Sequence, residues 1–169
     1  NAVRKYTWGL DLAGQNGSVN SLQGAGGIGG MLAVHDAGSS EDYVYCYDAN
    51  GNVGQLIAWA EDYGGTSYDA WDTSPGTLAR VVARYEYDPY GNIVGPDTND
   101  DGVIDQADNR GAYVTDNPIR FSTKFWDDEI GLGYWGYRYF SSQLGRWVNG
   151  DPIGEQGHLN VYRFSANDG

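Results

Sequence analysis

At 169 residues the chain suits one domain with its own core, and it carries 10 Lys and Arg against 23 Asp and Glu, a net charge of −13. That balance argues against nucleic acid and anionic membrane surfaces as partners, and no apolar run reaches the roughly 18 residues of a membrane-spanning helix. Fourteen Tyr, six Trp and 26 Gly beside one Met favour β structure, and Cys46 stands alone, so no internal disulfide can form. The opening "NAVRKYTWGL" lacks the charged-then-apolar pattern of a signal peptide, and with "SANDG" at the other end the chain reads as a piece of something longer.

In chain order the first feature is "GAGGIGG" (24–30), which contains G-x-G-x-x-G. A dinucleotide fingerprint needs a strand before it and a helix after it, whereas "MLAVHD" follows here and reads as a strand. A Gly-rich bend between strands is the better reading. Then "YVYCYD" (43–48) and "RYEYD" (84–88) alternate at period two, as strands do, and "GYWGYRYF" (133–140) predicts a third aromatic strand. The first two run into turn signals, Ala49-Asn50-Gly51-Asn52 and Pro89-Tyr90-Gly91-Asn92, followed by the return strands "VGQLIAWA" and "IVG". Tyr45-x-Tyr47-Asp48-x-x-Gly51-Asn52-Val53 thus matches Tyr85-x-Tyr87-Asp88-x-x-Gly91-Asn92-Ile93. The repeat unit is an aromatic hairpin, which cannot bury both faces alone and must stack on a neighbour.

Between the second hairpin and "NPIRFS" lies "DTNDDGVIDQAD". Asp97, Asn99 and Asp101 occupy positions 1, 3 and 5 of a calcium loop, Gly102 position 6, the Val103 carbonyl 7, Asp105 9 and Asp108 12. Ca2+ takes six to eight hard oxygens, and this spacing wraps such ligands around one ion. Asp in place of the final Glu resembles dockerin loops, and the missing flanking helices point to a solitary loop rather than a paired EF-hand.

The repeat resembles the YD repeats of RHS proteins, whose hairpins wind into a β shell. Residues 120–169 resemble the RHS repeat-associated core, through Leu144-Gly145-Arg146-Trp147, Asp151-Pro152-Ile153-Gly154 and Gly157-x-x-Asn160-x-Tyr162. The resemblance covers nearly the whole of 1–169, except 96–117, which reads as an inserted calcium-loop segment. It implies a mainly β fold of antiparallel hairpin repeats forming a curved sheet or partial shell. In members that carry C-terminal toxins, the core is similar to an aspartyl autoprotease, and this implies Asp151 as an acid with Arg146 beside it. A dyad needs two carboxylates, and Asp168 is no obvious second one, so the reading taken is that Asp151 caps the turn before Pro152 and Arg146 pairs with a carboxylate.

Other candidates carry less. Asp127, Asp128 and Glu129 are adjacent and point apart, unlike a glycosidase pair, and read as a solvated turn before Gly131. His35 and His158 have no second ligand at metal spacing. The expectation is therefore a non-catalytic, structural β module of a secreted or cell-surface RHS-type protein, clamped by Ca2+. It would self-associate through strand edges, as a filament or a smaller oligomer, or dock onto its parent. An autoprotease remnant and a glycan-binding adhesin using the aromatic residues are the alternatives.

Overall fold

The computed structural model describes residues 3–15, 27–59, 79–95, 111–156 and 159–164. Five strands make an antiparallel meander in the order β1 (Arg4–Trp8), β2 (Met31–Asp36), β3 (Glu41–Tyr47), β4 (Val53–Trp59) and β5 (Ala79–Arg84). Alternation turns one face of this sheet inward. Val34 pairs with Tyr43, Tyr45 with Leu56, and Leu56 with Ala83, and all five are buried. A short hairpin follows, β6 (Glu86–Tyr87) with β7 (Ile93–Gly95). A second sheet, ordered β11-β10-β9-β8, holds β8 (Phe125–Asp127), β9 (Leu132–Tyr134), β10 (Tyr139–Ser141) and β11 (Arg146–Trp147). Among the described residues there is no α-helix. The fold is mainly β, as the sequence leads one to expect.

The two repeat turns are near copies. In the first, Asp48 Oδ1 accepts the N–H groups of Asn50 (2.8 Å) and Asn52 (2.9 Å), and Oδ2 accepts Asn52 Nδ2 (2.8 Å). In the second, Asp88 takes Tyr90 N–H (2.8 Å), Asn92 N–H (3.0 Å) and Asn92 Nδ2 (2.7 Å). Gly51 and Gly91 sit at φ of 75° and 86°, a region that side chains other than Gly enter at a cost. Within each repeat the paired tyrosines stack with rings 16° apart, Tyr45 on Tyr47 at 6.4 Å and Tyr85 on Tyr87 at 6.0 Å. Each turn then supports the next layer. Asn52 Oδ1 accepts Ser122 N–H (2.9 Å), and Asn92 Nδ2 donates to the Ser142 carbonyl (3.2 Å).

Two expectations about local structure change. "GYWGYRYF" is not one strand but two: Gly136 at φ 89° turns the chain, Trp135 N–H donates to the Arg138 carbonyl (2.9 Å), and Tyr139 returns opposite Tyr134. The fold-back places Trp135 against Phe140 (5.3 Å) and Trp147 (5.7 Å) in a second aromatic core with Trp126 and Phe121. Secondly, the end of the stretch read as inserted lies in the main core. Tyr113 packs on Tyr43 with ring centroids 4.2 Å apart, and fully buried Asn117 accepts Tyr45 Oη (2.8 Å) and donates to the Ile119 carbonyl (2.6 Å). Its side chain thereby satisfies polar groups that would be costly to bury alone.

Candidate functional site

The resemblance directs attention to the end of the second sheet. Trp147 on β11 is buried, and Arg138, one residue before β10, lays its guanidinium 4.0 Å from the centre of that ring. From there Arg138 Nη1 donates to Asp151 Oδ2 (2.6 Å). The two side chains are 25% and 27% exposed, so the pair is partly shielded from water. The other carboxylate oxygen accepts Ile153 N–H (3.1 Å), and the Asp151 carbonyl accepts Gly154 N–H (2.9 Å). The expected turn-capping role of Asp151 before Pro152 is therefore present.

The arginine is a different one from that expected. Arg146 is exposed and lies 5.7 Å from the Tyr162 ring, while Arg138 holds Asp151. Residues 146 and 147 alternate across a strand, so Arg146 faces away from Trp147 and from the Arg138 stacked on it. Arg138 lies outside the short motifs and is not singled out by sequence; its signal would have been a cation placed beside an aromatic strand. Asp168 lies outside the described residues.

The calcium ligands Asp97, Asn99, Asp101, Val103, Asp105 and Asp108 also lie outside the described residues. Among the described residues, no group of three His, Cys, Asp or Glu is gathered where it could hold a metal ion. His35 Nδ1 instead meets Asp42 Oδ1 across β2 and β3 at 2.9 Å. Of the acidic triplet, Asp127 Oδ1 caps Glu129 N–H (3.0 Å), as a turn residue should, but Asp128 makes a two-pronged ion pair with Arg120. Of "GAGGIGG", residues 27–30 are described; they form a turn that leads directly into β2, so no helix opens there.

No protein-family model matches the chain. It is 44% identical over 64 residues to the double-stranded DNA deaminase toxin A of Burkholderia cenocepacia, covering 37% of this chain and 4% of that protein. It is 28% identical over 145 residues to toxin subunit YenC2 of Yersinia entomophaga, covering 82% of this chain and 13% of the other. The tRNA3(Ser)-specific nuclease WapA of Bacillus spizizenii is 26% identical over 164 residues, covering 90% of this chain and 6% of the other. The relatives are RHS-type toxin proteins. Among solved structures, a crystal structure of TcdB2-TccC3 aligns with a TM-score of 0.48 at 23% identity, covering 78% of this chain and 5% of that one. The chain thus spans a small part of the length of each.

These findings correct the functional expectation. A non-catalytic structural module does not accord with relatives named as a deaminase toxin and as a tRNA-specific nuclease, and the expectation that no enzyme is involved falls with it. The physical reason is that hairpin repeats and aromatic packing dominate this sequence, and packing residues carry no information about chemistry in the same polypeptide. Among the described residues no helix is long and apolar enough to cross a membrane.

Proposed function

We propose that this chain is part of a secreted RHS-type toxin protein whose enzymatic activity is directed at nucleic acid. The observation that carries this reading is the likeness to two proteins named for different nucleic-acid chemistries, one a DNA deaminase toxin and one a tRNA nuclease. The net charge of −13 repels phosphate, so contact with the substrate falls to a positively charged part of the toxin, and the partner of this segment is the remainder of that protein. Induced expression of the parent polypeptide in bacterial cells tests the reading. Growth arrest with cut tRNA or deaminated DNA is expected; normal growth with intact nucleic acid contradicts it.

We propose also that the loop 97–108 binds one Ca2+ through Asp97, Asn99, Asp101, the Val103 carbonyl, Asp105 and Asp108. What supports this is the oxygen ligand at every required spacing together with Gly102 at the tight turn. A ligand that binds only the folded state raises its stability. Calcium is expected to give titration heat and a higher melting temperature, and Asp101→Asn to weaken binding by about tenfold or more, through loss of a charged ligand. A chain whose melting is the same in calcium and in chelator would contradict the site.

A further inference from the structure

Arg120 is buried, its side chain 9% exposed, and it lines a cavity of about 260 Å³ between the β6–β7 hairpin and the second sheet. Its Nε donates to the Asn117 carbonyl (2.9 Å), and the guanidinium lies 5.9 Å from the Tyr85 ring. Both Nη groups are left for Asp128, at 2.7 and 2.6 Å. The two partners differ sharply in setting. The cation is desolvated and fixed, whereas the Asp128 side chain is 63% exposed on the turn between β8 and β9. A buried guanidinium requires an anion in front of its fork, but the requirement is met by any carboxylate of the right geometry. Next to that fork Tyr87, Ile93 and Trp126 form an apolar part of the cavity wall, and Asn92, Asp127, Ser142 and Gln143 form a polar part. An apolar patch beside a few placed polar and charged groups is the usual composition of a small-ligand site.

We propose that this cavity binds a carboxylate carried on an aromatic or branched apolar body, which takes the Arg120 fork as the Asp128 turn moves aside. In the exchange one carboxylate replaces another at the Arg120 fork and Asp128 gains water, while Asp127, also on the wall, stays in the turn where it accepts Glu129 N–H. Affinity then comes from burial of the apolar body against Tyr87, Ile93 and Trp126. The carboxylate could belong to a free organic acid or to the C-terminus of a peptide, and the chemistry at Arg120 is the same for both.

The test follows the Trp126 indole N–H signal by NMR in the whole 169-residue chain, an N–H that donates to the Phe121 carbonyl at 3.3 Å. The probes are 3-phenylpropionate, its amide, and a blocked dipeptide ending in Phe with a free or an amidated C-terminus. The acids are expected to shift the signal saturably and the amides to bind about tenfold more weakly or worse. Whichever of 3-phenylpropionate and the free dipeptide binds more tightly identifies the source of the carboxylate. Asp128→Asn removes the resident anion and is expected to tighten binding by about tenfold. Equal binding of acids and amides to the unaltered chain would overturn the proposal, and so would an absence of binding at millimolar probe. The acid–amide comparison needs no variant, so it stands even if Asp128→Asn folds poorly.

Discussion

Asp36, at the end of β2, is buried and accepts three hydrogen bonds, from Arg4 Nε (2.8 Å), Tyr113 Oη (2.7 Å) and Gly38 N–H (2.8 Å). The Arg4 and Tyr113 bonds favour the charged form over the opposing effect of burial and bring its pKa down from 3.8 to about 2. A carboxyl depressed in the folded state contributes stability that is fully present above its unfolded value. That stability is lost as pH falls through the folded value, here between about pH 4 and pH 2. The shift corresponds to about 2 kcal/mol at neutral pH. Asp36→Asn should therefore lower stability at pH 7 by about that amount and flatten the acid limb of the stability curve. Denaturant titrations from pH 7 to pH 2 check this, and parallel curves for the two proteins would refute it. None of this is legible in "MLAVHD", because Tyr113, the partner that draws Asp36 into the core, is 77 residues away.

At the scale of elements, the hairpins were legible because their turn chemistry is local. Asp, Gly and Asn at fixed offsets specify a loop in which one carboxylate accepts three donors, and both copies form it. Asp48→Ala and Asp88→Ala should each cost about 1–3 kcal/mol, since each strands three donors. Hydrogen exchange should show the loss of protection centred on residues 47–53 in the first variant and on 87–93 in the second. A uniform loss across both hairpins would mean that the repeats are not separate units. The β9–β10 hairpin was not legible, since aromatic alternation continues on both sides of Gly136 and period two cannot distinguish a straight strand from one that folds back. The Arg138–Asp151 pair was hidden for the same reason: the fold-back sets Arg138 over Trp147 and within reach of Asp151.

For the whole molecule, composition and repeats pointed to a mainly β fold, which follows from how aromatic hairpins must pack, and the motif resemblance pointed to RHS-type relatives. They misled about function. A sheet that buries tyrosine and tryptophan looks the same whether or not the polypeptide it belongs to is an enzyme, and the acidic charge that argues against nucleic acid describes only this segment. Four percent and 6% of the two relatives named for nucleic-acid chemistry are represented here, so the active groups of a toxin of this kind need not be among these residues. The most direct measurement purifies the protein of which this chain is proposed to be part and incubates it with total tRNA and, separately, with double-stranded DNA. Cleavage of tRNA, or cytosine-to-uracil or adenine-to-inosine conversion in the DNA, is the predicted result. A folded parent that leaves both substrates intact would contradict the account.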